Sequence, residues 1–340
     1  MVRAAKSKIA QKEKNDLLYR AILTLKNEEE CYSFFQDLCT ISELRSMEQR
    51  YEVATLLNDG MLYSDILEKT GASSATISRV NRSLLNGAGG YENVLERMNQ
   101  QLAGAYDELT WDVGYEKRAD FLEKLFRRSR IPVHTVLDLA CGTGSMTWLL
   151  AGRGYELIAV DGSQEMLAAA REKNAPAEVP PLFLHQSMPR LDLYGTVDAA
   201  ICCLDSLNYL TDPRDVQRTL RRLHLFISPG GLLTFDVRLP ERLAALDGQV
   251  FLDETEDTYC VWRTEYRRGL CTYYMDLFTL AEDGSWDRSF ELHRQRGYSV
   301  EQLTQWLEEA GFTEIRTWGD GKLRRPVPGE DRVYFTCIRK

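Results

Sequence analysis

The residues of this 340-residue chain best suited to chemistry stand where apolar runs end. In VLDLACGTG, residues 136–144, a strand-like run stops at Ala140, and Gly142 and Gly144 follow. A glycine-rich turn between a buried strand and a helix lets a ligand approach the backbone, and the helix start offers it N–H groups. Asp138 narrows the ligand: a carboxylate beside the turn repels a pyrophosphate and attracts cations. The third glycine of a dinucleotide fingerprint is missing too, since Ser145, Met146 and Thr147 follow Gly144. Asp161 closes the next apolar run, seventeen residues after Gly144, where a carboxylate can accept both hydroxyls of a ribose. Met166 follows within about one helical turn, placed either to lie against a base or simply to pack in the core. The ligand expected is a nucleoside bearing ammonium and sulfonium groups and no phosphate, which describes S-adenosyl-L-methionine.

Such residues need a sheet to hold them. From residue 101 the apolar runs TVLDLA, ELIAVD, PLFLHQS, VDAAICCL and GLLTFDV alternate with helical patterns, among them 115–129 and SQEMLAAAREKN. That alternation predicts a parallel sheet with helices on both faces. From 250 to 294 the composition shifts to Thr, Tyr, Val and Phe with turn signals at Arg-Gly and Asp-Gly, which predicts an inserted antiparallel segment; a helix over 299–310 and a strand in RVYFTCIRK follow. Residues 1–98 read as helix throughout, and Gly87-Ala88-Gly89-Gly90 opens a linker. The expected organisation is an all-α domain over 1–98 and an α/β domain over 101–340 carrying the insertion at 250–294.

Formal charge is -9, of which residues 1–98 hold -1 and the rest -8, so nothing in the longer domain's net charge favours a polyanion. The eight cysteines show no CxxC and no metal-ligand spacing, and read as buried thiols in a reducing compartment; no metal is expected. No run has the length of a membrane span or a signal peptide, so a cytoplasmic protein without a membrane partner is expected.

VLDLACGTG, AVDGSQEML and VDAAICCLDSLNYL, in this order and spacing, resemble the class I methyltransferases over about residues 101–340. The resemblance implies a Rossmann-like domain with S-adenosyl-L-methionine as cofactor, held by Asp138, Ala140, Gly142, Gly144, Asp161 and Met166. Ala140 replaces the family's first loop glycine, a tolerable change where only backbone is used. Gln186-Ser187-Met188 replaces the acidic residue that usually faces the adenine amino group; Ser187 can accept one hydrogen bond there and the Met188 N–H can serve the ring.

CLDSLNYL is the version of the post-β4 motif seen in methyltransferases of small molecules, which places Leu204 and Asp205 near the sulfonium and Tyr209 beyond. The (D/N/S)PP(Y/F/W) motif of enzymes that methylate exocyclic amino groups of DNA bases is absent, and Cys202-Cys203 lacks the preceding Pro of base-carbon methylation. Tyr106, Trp111 and Tyr115 are either a lid over the cofactor or simple packing. The strands at 250–294 are expected to roof the acceptor pocket, with His293 and Tyr209 the candidate catalytic residues and Arg294 a recognition residue; the alternative for His293 is a surface position.

At the other end, two short helices around Gly71, the second opening SSATISRVNRS, fit a helix-turn-helix whose recognition helix presents Ser74, Ala75 and Ser78 to base edges and Arg79 and Arg82 to phosphates or guanine. ISELRSMEQRYEVATLLNDGMLYSDILEKTGASSATISRVNRSL resembles the Trp repressor superfamily, especially its small stand-alone relatives, over about residues 10–98. The resemblance implies a homodimer on double-stranded DNA; the alternative is a dimerisation module that no longer binds DNA. Arg50 and Arg79 match the family's tryptophan-holding arginines, but Val80 occupies the slot of the glycine that leaves room for the indole, which argues against tryptophan. Lys6, Lys8, Lys12 and Lys14 form either a phosphate-contacting arm or a solvated helix end.

The expected function is methylation of a small molecule by an enzyme fused to a DNA-binding regulator domain. The alternative is a transcription regulator whose C-terminal domain senses the cofactor without turnover. Methylation of nucleic acid guided by the head is disfavoured by the missing motifs and the acidic C-terminal part.

Overall fold

The computed structural model describes residues 16–58, 61, 63–91, 93–95, 113–173, 175–281 and 284–340. It divides into two compact units, Met1–Gly89 and Gly90–Lys340.

The first unit holds α1 (Asp16–Ile22), α2 (Glu28–Leu38), α3 (Ile41–Asn58), α4 (Tyr63–Thr70) and α5 (Ser74–Asn86). Local side chains set the helix starts. Asn27 accepts the Glu30 N–H, Thr40 and Glu43 bond each other's N–H reciprocally, and Ser73 accepts the Thr76 N–H, satisfying donors a helix leaves open. The small core comprises Val53, Ala54, Leu56, Ile66, Ala72, Ile77 and Val80.

The second unit opens with α6 (Tyr115–Phe126). Strands β1 (Thr135–Leu139), β2 (Glu156–Asp161), β3 (Leu182–His185), β4 (Val197–Cys202) and β5 (Ile227–Val237) then alternate with α7 (Ser145–Gly152), α8 (Gln164–Glu172) and α9 (Pro213–Phe226). After the short α10 (Pro240–Ala244) come β6 (Val250–Glu254), β7 (Thr258–Arg267), β8 (Leu270–Leu280) and β9 (Trp286–Arg296), then α11 (Val300–Ala310), β10 (Phe312–Gly319) and β11 (Val333–Arg339). Seven strands form one sheet in the order β10-β11-β5-β4-β1-β2-β3, with β11 antiparallel to both its neighbours and the rest parallel. Both faces are covered. Leu137, Leu139 and Phe235 pack with Leu220, Leu223 and Leu303 on one side, and Val136 and Ile201 with Phe121, Leu125 and Leu150 on the other.

This is the expected Rossmann-like architecture with one addition. β10, absent from the sequence expectation, is an edge strand whose FTEIRTWG carries charges among apolar residues, a weak strand signal. The insertion forms a separate antiparallel sheet in the order β6-β7-β8-β9. Register places Trp262, Met275 and Glu291 in one cross-strand row and Thr264, Tyr273 and His293 in the next on the same face. Among the described residues, no helix is long and apolar enough to cross a membrane.

Candidate cofactor and acceptor site

β1 and β2 run in register, Leu139 opposite Val160, so they end at one edge of the sheet. The chain leaves β1 through Ala140, Gly142 and Gly144 at φ 62°, 54° and 72°. Neighbouring strand ends hold this turn: the Ala140 and Cys141 N–H groups donate to the Val160 carbonyl at 2.7 and 3.1 Å, and the Gly142 N–H donates to Asp161 Oδ2 at 2.8 Å. The other Asp161 oxygen accepts the Ser163 N–H at 2.8 Å, at the start of α8. Ala140 therefore holds a conformation that costs a non-glycine residue about 1–2 kcal/mol, so the substitution the sequence makes tolerable still carries strain.

The two glycines differ in their surroundings. A Cβ on Gly142 meets no atom within 4 Å, leaving the turn open for close backbone approach; on Gly144 it stands 3.0 Å from Ala170 Cβ and 3.4 Å from the Phe183 ring. Gly144→Ala is expected to destabilise the unit by about 2–3 kcal/mol through conformation plus overpacking, and Gly142→Ala by about 1 kcal/mol through conformation alone. Urea unfolding of the two variants checks the difference, and equal losses refute the packing argument.

The turn's carboxyls are poised for a cation. Asp138 is 2% exposed and accepts the Thr147 hydroxyl at 2.6 Å; burial pushes it up to about 7, the hydroxyl bond opposing and Asp161 adding to the rise. Burial also pushes Asp161 up, against its backbone bonds. A positively charged ligand relieves both. The open backbone at Gly142, these carboxyls and the Ser187 hydroxyl, which makes no capping bond, fit S-adenosyl-L-methionine. Met188 packs partly against the sheet core, and Met166 packs on Cys260, Met275 and Leu277 of the antiparallel sheet. Tyr115 begins α6 and packs beside the Phe121 cluster; Tyr106 and Trp111 lie outside the described residues. Lys173, which no motif singles out, bridges the Thr143 and Ser145 hydroxyls at 3.0 and 2.7 Å behind the turn.

Past β4 the chain makes a second strained turn, with Leu204 at φ 58° and Asp205 at φ 52°. Two successive left-handed residues persist only where surroundings impose them. Asp236, on the adjacent β5, does so: its two oxygens accept the Leu204 and Asp205 N–H groups at 2.9 Å each. Asp236 is fully buried, and burial pushes it up to about 6 while Arg332 opposes the rise. The Asp205 carboxylate turns inward, accepting from Arg332 Nε at 2.8 Å and Gln295 Nε2 at 2.7 Å. Its role in the structure is to fasten the turn to β9 and to the residue just before β11, leaving Leu204 and backbone for contact with a ligand. Cys202 and Cys203 have thiols that burial pushes well up, which suits packing rather than nucleophilic attack.

The antiparallel sheet is fastened over this turn. Gln295 bonds Asp205 and accepts from the Tyr273 hydroxyl at 3.0 Å, and Asn208 donates to the Arg238 and Arg296 carbonyls at 3.0 and 2.7 Å. Adjacent residues of a strand face opposite ways, so the structure separates His293 from Arg294: Arg294 is exposed on the outer face, while His293 meets the Tyr209 ring edge-on at a centroid distance of 5.7 Å. Glu291 shares the inner face, its Oε2 4.0 Å from His293 Nε2. Burial pushes Glu291 up to about 7 and His293 down to about 4. Motif reading misses Asp236, Arg332, Gln295 and Glu291, which come from β5, the loop before β11 and β9; the one available signal is period-2 alternation in ELHRQR, which puts Glu291, His293 and Gln295 on one face.

In the helical unit Gly71 takes φ 66° between α4 and α5. Ser74, Ala75, Ser78, Arg79 and Arg82 are all exposed on α5, while Ile77 and Val80 face the core. Val80 is 2% exposed, its branched side chain inside the packed interior. Arg50 donates from Nε to the Ser46 carbonyl at 2.9 Å. Lys6, Lys8, Lys12 and Lys14 lie outside the described residues.

Known proteins share both halves. The Trp repressor protein family model matches residues 13–99 and a methyltransferase domain model matches residues 136–231. Over 237 residues, 68% of the chain, the sequence is 32% identical to a methyltransferase-family protein of Geobacillus sp. (strain WCH70), of which it covers 96%. Over 85 residues, 25% of the chain, it is 53% identical to the uncharacterized protein YerC of Bacillus subtilis (strain 168), covering 82% of that protein. A solved S-adenosylmethionine-dependent methyltransferase from Clostridium acetobutylicum ATCC 824 aligns with a TM-score of 0.64 at 26% identity, over 69% of this chain and 96% of that one. With the strand order, the glycine turn and its carboxyls in place, the chain belongs to the S-adenosylmethionine-dependent methyltransferases and carries a Trp repressor-type domain ahead of its catalytic unit.

Proposed function

We propose that the catalytic unit methylates a small molecule and that the helical unit is the DNA-reading head of a homodimer. The observation that carries the first half is the antiparallel sheet fastened over the Leu204–Tyr209 turn by the Gln295–Asp205 and Asn208–Arg296 bonds. It bounds the space beside that turn with side chains, which suits a compact acceptor better than a polymer strand. When bound, S-adenosyl-L-methionine supplies an electrophilic methyl group. The chain's contribution is to hold the turn rigid, orient the acceptor and exclude water, which can account for much of the rate of an in-line displacement. Asp138, Ala140, Gly142, Gly144, Asp161, Met166, Ser187 and Met188 are the proposed cofactor contacts, with Leu204 and the Asp205 backbone beside the methyl group. Incubating the protein with methyl-labelled cofactor and a metabolite extract tests the reading. Label in a small molecule is the expected result; label in DNA alone, or none together with cofactor-dependent DNA binding, overturns it.

For the head, the exposed Ser74, Ala75, Ser78, Arg79 and Arg82 face supports base and phosphate contact. Exposed apolar side chains support the dimer: Leu17, Leu23, Ile41 and Leu85 are 72–85% exposed, and a second copy is the partner the Trp repressor resemblance supplies. Arg79→Ala and Arg82→Ala are each expected to weaken binding to a DNA ligand selected from random sequence by roughly tenfold to a hundredfold, with a shallower salt dependence where the lost contact is to phosphate. Fluorescence anisotropy at several salt concentrations measures both effects, and unchanged binding in both variants removes the DNA reading.

A further inference from the structure

We infer that the methyl acceptor is an amine, bound in its ammonium form by Glu291 on the inner face of the antiparallel sheet, with His293 and the Trp262 indole completing the site. This rests on the reading of the unit as a small-molecule methyltransferase.

Among the described residues, three buried side-chain atoms on that face have no hydrogen-bond partner: Trp262 Nε1, Glu291 Oε1 and His293 Nε2. They occupy adjacent cross-strand rows. A fold rarely leaves buried polar atoms unpaired, and each deserves an explanation; three converging on one patch are explained by a ligand that satisfies them together. The sign of the ligand's charge follows from what surrounds Glu291. Arg263 and Arg288 both pair with Asp276 on the outer face, at 3.0 and 2.5 Å. Arg238 is drawn to Asp205 and Asp331, at 3.8 and 3.5 Å, and Arg294 is exposed on the outer face. The inner face thus holds a carboxyl that no cation of the sheet neutralises, between aromatic side chains, Trp262, Tyr273 and Tyr209, that suit an ammonium group. A carboxylate or phosphate acceptor is repelled there, and a hydroxyl acceptor leaves the carboxyl without its cation. The patch also adjoins the turn where transfer takes place: His293 touches Tyr209, and Gln295, two residues further along the same face, bonds Asp205.

The proton balance is direct. The bound ammonium gives one proton to the Glu291 carboxylate, leaving a neutral amine with a lone pair. That pair forms the nitrogen–carbon bond to the methyl group as the carbon–sulfur bond breaks, its electrons staying on sulfur. The sulfonium becomes a thioether, and the positive charge passes to the methylated nitrogen. Burial holds Glu291 near neutrality, where it can both accept that proton and return it to solvent.

The test uses the full chain, wild type and Glu291→Gln, with methyl-labelled S-adenosyl-L-methionine and a metabolite extract, and identifies the labelled bond by mass spectrometry. Label on nitrogen, with kcat/KM for the purified product's precursor about a hundredfold lower in the variant and the cofactor Kd by calorimetry unchanged within twofold, is the expected result. Label on oxygen, sulfur or a carboxyl group, or a variant within threefold of wild type, overturns the amine assignment while leaving the methyltransferase reading intact. Absence of any labelled small molecule despite intact cofactor binding overturns both. A second measurement needs no turnover: benzylammonium chloride is expected to shift the His293 imidazole proton resonance in wild type and not in Glu291→Gln. An equal shift with benzyl alcohol, which lacks the charge, refutes the role of Glu291.

Discussion

Asp236→Ala is expected to destabilise the catalytic unit by about 3–5 kcal/mol, the range for removing one partner of a buried charge network. Several losses combine. The Leu204 and Asp205 N–H groups lose their acceptors, and the left-handed turn they maintain loses what imposes it. Arg332, 3.4 Å from Asp236 Oδ2, keeps only Asp205 and Asp331 as anionic partners among the described residues. Asp236→Asn tests the account more finely. The amide has one acceptor oxygen for two converging N–H groups, so its NH2 must face a donor, and about half the loss is expected to remain. Urea unfolding followed by far-UV circular dichroism measures both variants. A loss below about 1 kcal/mol in Asp236→Ala means the turn is held by its own packing and the role given to Asp236 is wrong.

Asp236 also shows where sequence stops being informative. Asp138, the two glycines and Asp161 lie within two adjacent strand–turn–helix units, so their spacing along the chain reflects their spacing in space. The residues around the second turn come together differently. Asp236 arrives from β5, Arg332 from just before the antiparallel β11, and Gln295 and Glu291 from the far strand of the inserted sheet. Only strand order and register bring them together, and neither leaves a local pattern. The same limit applies to His293 and Arg294: alternation assigns them to opposite faces, but which face turns inward depends on how the sheet is anchored, through Gln295 and Asp205. Ala140 marks the converse case, since its identity is plain in the sequence while its left-handed conformation is not. The helical unit was the more legible because its elements are fixed locally, by Asn27, Thr40 and Ser73 at helix starts and by Gly71 at the turn.

Asp161→Ala is expected to weaken S-adenosyl-L-methionine binding at least a hundredfold, about 2.7 kcal/mol. Two contributions add. The variant removes the carboxylate proposed to accept the ribose hydroxyls, and it frees the Gly142 N–H that ties the glycine turn to β2. Hydrogen bonds to a charged group contribute about 1.5–3 kcal/mol each, so the loss of one ligand bond plus a loosened turn reaches the stated size. Titration of wild type across pH separates this local effect from the field of Asp138. The Asp138 carboxyl of the free protein is raised to about 7, and Asp161 is one of the causes. A bound cation favours its ionised form, so the bound-state pKa lies below the free one. Affinity is then greatest above pH 7 and falls as the pH is lowered through that value, with proton uptake on release of the ligand and proton release on binding. Calorimetry in buffers of different ionisation enthalpy counts those protons directly. In Asp161→Ala the carboxylate that helps raise Asp138 is gone, so the residual binding should show its pH midpoint displaced to lower pH. A midpoint that stays in place, or wild-type binding with no proton release near pH 6.5, shows that the buried Asp138 does not sense the cofactor's charge.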